Sequence, residues 1–361
     1  MINRKPLRIG IIGVGFGSKV QIPAFLSEGV VVSAVCAEHK DRAEKVAKEF
    51  EIPQVYTDYK KMIIDADIDA VSIVTPPFLH HEMTIEAIKA GKHVICEKPF
   101  ALNIQEATEM LNAATNSNIT AMIAHEFRFA PARAYIKELI QQNYIGAIRD
   151  IHIALFLGPT MPIAFKAMTW GSESTKGGGF LGALGSHYLD CLRDWCGEME
   201  AINGQVVSHD PSRILNNEKV IADSDDAFSF KVKFSNGALA SMNANSVAPY
   251  GDGARIDIYG TEGALRTTQT GFNPTPDGKV WAARYSDGPE MKELSMPERY
   301  FPIIDNRDQR LPAFRILVKR FLQGIEEGTS LYPNFYDGLK CQQALDAIRL
   351  FSSEEHWKKF S

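Results

Sequence analysis

Short apolar runs alternate with amphipathic segments along the first third of the chain. Six runs have the length and residue types of strands: 7–12, 30–36, 55–56, 69–74, 93–96 and 120–123. Apolar residues at helical spacing mark four segments between them: 22–26, 41–50, 81–90 and 104–115. Strands that are apolar on both faces and alternate with helices are typical of a doubly wound parallel sheet, which binds ligands at the carboxyl ends of its strands. The pattern predicts an α/β nucleotide-binding domain over residues 1–124.

The pattern changes after residue 124, where strands follow one another in hairpin order. Residues 228–234 alternate apolar and polar side chains, Asn236-Gly237 is a strong hairpin signal, and 238–246 returns as a second strand. Further strands are predicted at 151–157, 256–259, 264–267 and 279–285, and helices at 132–142, 314–324 and 336–350. We therefore expect residues 125–361 to form a C-terminal α+β domain with a largely antiparallel open sheet.

Composition excludes several classes of protein. A chain of 361 residues, 45% hydrophobic and 23% charged, suits a globular protein of two domains. Its net charge of −5 gives no reason to expect nucleic-acid binding. No apolar segment reaches about 18 residues, and glycines interrupt the apolar stretch near the N-terminus, so we expect neither a membrane span nor a signal peptide. A soluble, cytoplasmic protein is predicted.

The cysteines give no sign of a metal site. The five of them lack metal-ligand spacing, and several lie in apolar runs. We expect buried reduced thiols and no bound metal.

A glycine-rich turn, Gly13-Val14-Gly15-Phe16-Gly17-Ser18, follows the first predicted strand. In a dinucleotide-binding turn, the first glycine makes the tight bend and the second lets the backbone approach the pyrophosphate, which faces the N-terminus of the next helix. Gly13 and Gly15 match those positions. The third glycine position falls on Ser18, and Gly17 is a candidate to supply the missing room. We expect this turn, Phe16 included, to bind the cofactor.

The end of the second predicted strand bears on the choice between NAD and NADP. An acidic residue there usually bonds the ribose 2′-OH of NAD. Glu38 lies one place late, because Ala37 holds the usual position. Lys40 and Arg42 would instead suit a 2′-phosphate, and all three charged residues are also compatible with a solvated surface. The sequence favours NAD.

Glu97-Lys98-Pro99 follows the apolar run that ends the fifth predicted strand. A lysine at the end of a buried parallel strand, downstream of a nucleotide-binding turn, would lie beside the nicotinamide. Next to a cationic ring, an ammonium group gives up its proton more readily, so Lys98 could exchange a proton with a substrate hydroxyl. The alternative is a structural lysine paired with Glu97.

Together these segments resemble the glucose-fructose oxidoreductase, inositol dehydrogenase and rhizopine catabolism (Gfo/Idh/MocA) family, over about residues 7–350. The matching residues are Gly13-Val14-Gly15, Thr75-Pro76-Pro77 with His80, Gly91-Lys92-His93-Val94, Glu97-Lys98-Pro99, Arg128-Phe129 with Pro131, Gly177-Gly178-Gly179, Gly185-Ser186-His187 with Asp190, Asn236-Gly237-Ala238 and Tyr259-Gly260-Thr261-Glu262-Gly263.

The resemblance implies an N-terminal Rossmann domain and an NAD(P)-dependent enzyme that oxidises or reduces a carbinol carbon of a sugar, cyclitol or related polyol. It implies that Lys98 and His187 are catalytic and also contact the substrate. Further cofactor contacts are expected from four residues of the motifs: Thr75, Pro76, His80 and Glu97. It also implies a cis bond before Pro99.

One position departs from the family pattern. Many family enzymes have an aspartate four residues before the histidine, and this chain has Ala183 there. Either Lys98 or His187 works without it, or the hydroxyl of Tyr188 substitutes, or turnover is lost.

Asp190 lies three residues after His187 and could orient its ring and contact the substrate. The alternative is an ion pair with Arg193. His125, Arg128 and Trp170 are expected to border the cleft between the domains, where they would contact a sugar, although each is also compatible with a structural role.

Two other functions share this fold: a dinucleotide-sensing regulatory or partner-binding protein, favoured slightly by Ala183, and an NAD-dependent glycoside hydrolase. An open sheet with an exposed apolar face also predicts a homodimer or homotetramer.

Overall fold

The computed structural model describes residues 5–158, 166–271, 274 and 278–354. The chain forms two compact units. The first consists of Met1–Glu126 and Asp305–Gln342, and the second of Phe127–Ile304 and Gln343–Ser361. The functional division into a nucleotide-binding and a substrate-binding domain stays a prediction.

The first unit contains the alternating strands and helices. Its elements in chain order are β1 Arg8–Ile12, α1 Ile22–Ser27, β2 Val31–Cys36, α2 Lys40–Glu49, β3 Gln54–Tyr56, α3 Tyr59–Asp65, β4 Ala70–Ile73, α4 His80–Lys89, β5 His93–Cys96, α5 Ile104–Thr115 and β6 Ala121–Ile123. The six strands form one parallel sheet in the order β3-β2-β1-β4-β5-β6. This confirms the doubly wound α/β prediction.

Helix α3 was not predicted from the sequence. It has only seven residues, and the side chain of Asp58 caps it by accepting hydrogen bonds from the backbone N–H groups of Lys60 and Lys61. A helix of two turns offers too few apolar positions for a periodic signal, so the cap was the stronger sequence feature.

The second unit is built on a mixed sheet. Its elements are α6 Pro131–Gln141, β7 Ile148–Leu157, α7 Ser186–Cys196, β8 Met199–Val207, β9 Ser212–Leu215, β10 Glu218–Ile221, β11 Ala227–Phe234, β12 Leu239–Asn245, β13 Asp252–Gly260, β14 Gly263–Gln269, β15 Val280–Arg284 and β16 Lys292–Glu293. The eight-stranded sheet has the order β16-β15-β14-β13-β7-β12-β11-β8. All its neighbours are antiparallel except β7 and β12, so the largely antiparallel sheet is confirmed.

Four strands of this unit, β8, β9, β10 and β16, were missed by the sequence analysis. Strand β8 has no fully buried residue, so it lacks the alternation that marked its neighbour β11. The predicted hairpin between β11 and β12 is present, and Gly237 in its turn has φ +86°.

Two long helices end the described chain: α8 Leu311–Glu327 and α9 Phe335–Ser353. Helix α8 belongs to the first unit, where the buried ring of Phe314 meets that of Phe25 edge-on at 6.5 Å. Arg315 adds an ion pair with Glu28 at 2.7 Å. Helix α1 is therefore covered by a helix from the far end of the chain.

All five cysteines are buried thiols, as predicted. Within the described ranges, no group of three or more metal-ligating side chains is found. No helix among those residues has both the length and the apolar character needed to cross a bilayer.

Candidate active site

The glycine turn brings three strand ends together. Gly13 has φ +103°, and a Cβ atom on it would lie 2.4 Å from the carbonyl oxygen of Val74, just beyond β4. Its N–H donates to the carbonyl of Cys36, the last residue of β2, at 2.9 Å. Only glycine fits this position, because both the backbone angle and the contact exclude a side chain.

Gly15 and Gly17 have opposite surroundings. Gly15 is exposed, and a Cβ atom added to it would meet nothing within 4 Å. Gly17 is buried, and its added Cβ would lie 3.2 Å from Cγ2 of Ile11 in β1. Gly17 therefore provides the close contact between helix and strand. Ser18 donates instead from its hydroxyl to the carbonyl of Gly15 at 3.3 Å.

The open space at Gly15 fits the phosphates of a dinucleotide. A helical segment begins beside it with the π-helical turn Gly17–Gln21 and continues into α1, with Pro23 in the first turn of α1. Backbone N–H groups and the positive end of a helix dipole suit an anion at this place. The ring of Phe16 is held edge-on to that of Phe314 at 6.4 Å.

Glu38 is exposed two residues beyond the end of β2. The last residue of β2, Cys36, bonds Gly13, so Glu38 lies two residues along the chain from a contact with the glycine turn. Lys40, exposed at the start of α2, lies 3.4 Å from the carboxylate of Glu44. The acidic candidate for a ribose contact is thus solvent-accessible, and the lysine has an anionic neighbour of its own.

A buried hydrogen-bond chain lies behind Lys98. Lys98 is half-buried directly after β5, while Glu97 is buried. The carboxylate of Glu97 accepts from the side-chain amide of Gln21 at 2.7 Å and from the backbone N–H of Lys98 at 3.2 Å. The hydroxyl of Ser72 in β4 donates to the other side of the Gln21 amide. The cis bond expected between Lys98 and Pro99 is present.

Glu97 thus has hydrogen-bond partners in the side chain of Gln21 and the backbone of Lys98. Burial raises the pKa of Glu97, while the neighbouring Lys98 charge and the Gln21 hydrogen bond lower it.

Glu126 is a second buried carboxyl group in this unit. It lies three residues beyond β6, the strand next to β5, and is only 4% exposed. Burial first and the Glu97 carboxylate second raise the pKa of Glu126, Lys98 lowers it, and the net value is about 8. Two carboxyl groups near one ammonium group influence each other's pKa values, and such a group of side chains can hold and release a proton near neutral pH.

His80 connects two of the predicted cofactor segments. Its ring is fully buried, with Nδ1 3.0 Å from the carbonyl oxygen of Pro99 and Nε2 2.9 Å from that of Thr75. Burial lowers the pKa of His80. Thr75 and Pro76, which follow β4, are half-buried. His80 therefore contacts both segments.

His187 lies at the start of α7 in the second unit and is 1% exposed. Its ring stacks on that of Phe127, with the centroids 3.7 Å apart and the planes 7° from parallel. The buried guanidinium of Arg133 lies over the rings of Phe127 and Tyr188, at 5.0 and 4.5 Å from their centroids.

Arg128 and Asp190, both predicted to contact substrate, bond each other. Nε of Arg128 donates to Oδ2 of Asp190 at 2.9 Å, and both side chains are buried. Asp194 extends the pair, accepting from Arg128 at 3.3 Å and from Lys137 at 2.6 Å. The predicted alternative partner of Asp190, Arg193, bonds Glu198 at 3.0 Å.

The other predicted sugar-binding candidates differ in exposure. His125 is buried at 1%, while Trp170 is 43% exposed in a short 3₁₀ turn. Ala183 is half-buried, and its side chain can neither bond nor titrate. The assignment of these residues to a substrate stays a prediction.

Several residues at the site were missed by the sequence analysis: Gln21, Ser72, Glu126, Arg133 and Arg310. Two of them carried a usable signal. Gln21 is a polar residue at the buried base of α1, and Glu126 is a carboxylate just past a buried strand end, where ligands of such sheets bind.

Comparison with known proteins identifies the family. The N-terminal model of the GFO_IDH_MocA family, described as an oxidoreductase family with an NAD-binding Rossmann fold, matches residues 7–125. The C-terminal domain model of the same family matches residues 134–266. An uncharacterized oxidoreductase of Synechocystis is 30% identical over 364 residues, which cover 99% of this chain and 97% of the relative.

Characterised relatives and solved structures agree. Levoglucosan dehydrogenase of Pseudarthrobacter phenanthrenivorans is 29% identical over 97% of both chains. A levoglucosan dehydrogenase structure in complex with NADH and L-sorbose superposes with a TM-score of 0.87 at 28% identity over 98% of both chains. A second, with NADH and levoglucosan, has the same TM-score and identity and covers 98% of this chain and 99% of that one. The chain is thus an NAD-binding oxidoreductase that belongs to the Gfo/Idh/MocA family.

Proposed function

We propose that this protein oxidises or reduces a carbinol carbon of a sugar, cyclitol or related polyol, using NAD. The observation that carries the proposal is the half-buried lysine at the end of β5, in the same unit as an open glycine turn. The hydrogen-bond chain from Ser72 through Gln21 to Glu97 holds the segment that presents Lys98. Such support is what a proton-transferring side chain requires.

For the cofactor, we propose that the backbone at Gly15 and the following helix N-terminus hold the pyrophosphate and that Glu38 bonds the ribose. When bound, NAD supplies the hydride acceptor. Glu38 is exposed and close in space to the turn, whereas Lys40 lies beside Glu44. We therefore propose NAD rather than NADP, because the carboxylate of Glu38 would bond a ribose hydroxyl but repel a 2′-phosphate.

Lys98 is proposed to handle the hydroxyl proton. In oxidation, its neutral amine accepts the proton from the substrate hydroxyl; in reduction, its ammonium donates one to the carbonyl oxygen. Positioned acid–base groups contribute about 10²–10⁴-fold to rate. His187, whose ring is held by stacking on Phe127, is proposed as a second hydrogen-bonding group for the substrate.

The sugar class is supported by the relatives and by one side chain. Levoglucosan dehydrogenase has been solved with levoglucosan and with L-sorbose. In this chain, the exposed face of Trp170 is available to stack on a sugar ring. Because Arg128 and Asp190 neutralise each other, we propose that they bind hydroxyl groups as a pair.

Lys98→Met tests the proposal. Turnover of the preferred substrate, chosen from a panel of levoglucosan, L-sorbose and cyclitols by NADH absorbance, should fall at least about 10²-fold. NADH affinity, measured by fluorescence, should change little, since the phosphates are held elsewhere. A Lys98→Met variant that keeps near-normal turnover would remove Lys98 from the chemistry.

The second candidate function is a dinucleotide-dependent regulatory protein, favoured by Ala183, which leaves His187 without the family carboxylate. Tight NADH binding without turnover of any sugar in the panel would support it. Release of sugar from glycosides without net NADH formation would instead identify an NAD-dependent glycoside hydrolase.

We further propose that the chain forms a homodimer or homotetramer through the open face of its mixed sheet. Three large side chains on adjacent strands of that face are partly exposed: Phe156 at 39%, Leu239 at 48% and Tyr259 at 40%. Leu239 and Tyr259 both pair with Asp150 of β7, and Phe156 lies on the same face of that strand. An apolar row of this kind suits a subunit interface.

A further inference from the structure

Two carboxyl groups lie at neighbouring strand ends beside Lys98. Glu97 directly follows β5, and Glu126 follows β6, which pairs in parallel with β5. The N–H of Ala124 donates to the carbonyl of Cys96 at 2.8 Å, so the two chain segments stay paired to within two residues of Glu126. The carboxyl ends of both strands therefore present an acid to the same edge of the sheet.

The two acids have different partners. Both oxygens of Glu97 accept hydrogen bonds, from Gln21 and from the backbone of Lys98. Glu126 is as deeply buried, yet its Oε2 has no hydrogen-bond partner among the described residues. A buried carboxylate oxygen without a donor is costly, and it calls for a proton or an unseen donor.

The charged groups that act on Glu126 come from three elements. Glu97 and Lys98 lie at the end of β5, and Arg310 lies at the start of α8. The guanidinium of Arg310 donates to Asp308, with Nε 2.8 Å from Oδ1, so Arg310 acts on Glu126 only at longer range. Of the two cations, Lys98 therefore exerts the stronger influence on Glu126.

We propose that Glu126 is the proton-accepting partner of Lys98: Oε2 of Glu126 takes the ammonium proton and so leaves Lys98 as the neutral amine that acts as base. This inference rests on the proposed function, in which Lys98 exchanges the hydroxyl proton. Glu126 is a positioning residue, because it acts through Lys98 and not on the substrate.

The transfer balances within the pair. An N–H bond of Lys98 breaks and an O–H bond forms at Oε2 of Glu126. The positive charge of Lys98 and the negative charge of Glu126 are both neutralised. Since no donor lies within hydrogen-bond distance of Oε2 among the described residues, a water molecule carries the proton. When Lys98 then takes the substrate proton, Glu126 releases one proton to solvent per oxidation. The chain thus regains a carboxyl partner for its base although position 183 is alanine.

Glu126→Gln tests this by the pH dependence of kcat for oxidation. The wild type should change little above about pH 8, where Glu126 is ionised and can take the Lys98 proton within the pair. In the variant, kcat should rise about tenfold per pH unit, because the neutral amine then forms only by proton loss to solvent. KM should stay within about twofold. Glu126→Asp should restore the flatter profile, and Glu218→Gln, at an exposed carboxylate of β10, is the matched control.

A readout without turnover uses the free energy of unfolding of the cofactor-free chain. The pKa of Glu126 is about 8 in the folded chain, against an ordinary value of 4.5, so the folded state binds the extra proton between these values. Glu126 therefore adds stability below about pH 4.5 that is lost as the pH rises through about 8. Glu126→Gln should remove this slope, and Lys98→Met should move its upper end to higher pH.

The outcomes separate the two proposals. If Lys98→Met is inactive and the Glu126→Gln profile runs parallel to the wild type, the proton transfer is wrong and the proposed function stands. If Lys98→Met stays active, the proposed function fails, and an unmoved stability slope would overturn the Lys98–Glu126 coupling as well.

Should Glu126→Gln not fold, ¹³C NMR of glutamate-labelled wild type and Lys98→Met decides the matter. One carboxyl resonance must titrate near pH 8 and shift when the ammonium is removed. Absence of such a resonance overturns the proposal.

Discussion

Glycines at two positions of the same turn have different tasks. At Gly13 the positive φ and the Val74 carbonyl leave no place for a Cβ atom, so this glycine serves the fold. At Gly15 the backbone allows a side chain, but that side chain would occupy the space where we place the cofactor phosphates. Gly13 is therefore required for folding, and Gly15 for the cofactor binding that we propose.

Gly13→Ala should destabilise the chain by at least about 2 kcal/mol, because it combines an unfavourable φ with a 2.4 Å contact. Gly15→Ala should leave the melting temperature nearly unchanged and weaken NADH binding by about tenfold or more. Thermal unfolding and NADH fluorescence titration measure the two effects. Unchanged NADH affinity in Gly15→Ala would place the phosphates elsewhere.

Among the elements, α8 supports the glycine turn from behind. Phe314 is fully buried between the rings of Phe16 and Phe25, at 6.4 and 6.5 Å. Because Phe16 belongs to the turn itself, the packing of a helix 300 residues away along the chain fixes where the turn lies.

Phe314→Ala should therefore lower the free energy of unfolding by about 3–5 kcal/mol and also weaken NADH binding. Lys319→Ala, on the exposed side of the same helix, should do neither. Urea denaturation and the NADH titration check both statements. Loss of stability with unchanged affinity would show that the turn does not depend on α8.

The sequence predicted those elements that had a clear apolar pattern or a strong turn motif. The six parallel strands, the hairpin at Asn236-Gly237 and the bond before Pro99 were all predicted correctly. Strand β8 was missed because its apolar positions do not alternate, and α8 was predicted without its partner. The contacts of Gln21 and Glu126 were out of reach, because each depends on residues about 28 to 76 positions away that only the sheet topology brings near.

For the whole molecule, the exposed face of the mixed sheet bears on the association of subunits. The exposed row of Phe156, Leu239 and Tyr259 would be costly to leave in water in full. If subunits associate there, a charge at its centre should be far more disruptive than the same charge on another exposed leucine.

Leu239→Arg should lower the molar mass measured by light scattering at micromolar concentration, because a buried unpaired cation opposes association. Leu215→Arg in β9, where the leucine is 47% exposed, is the matched control and should keep the wild-type mass. A monomeric wild type, or equal effects of the two variants, would contradict an interface at this face.

The burial of His80 makes the free energy of unfolding depend on pH in mild acid. Burial lowers the pKa of its ring, so the folded chain keeps the imidazole neutral while the unfolded chain takes up a proton below about pH 6.5. Mild acid thus lowers the free energy of unfolding, while the neutral ring of the folded chain donates its single N–H to the carbonyl oxygen of either Thr75 or Pro99. Molecules that remain folded at low pH would keep the conformation of the Lys98 segment. Acid inactivation from this source would therefore reflect a smaller fraction of folded molecules.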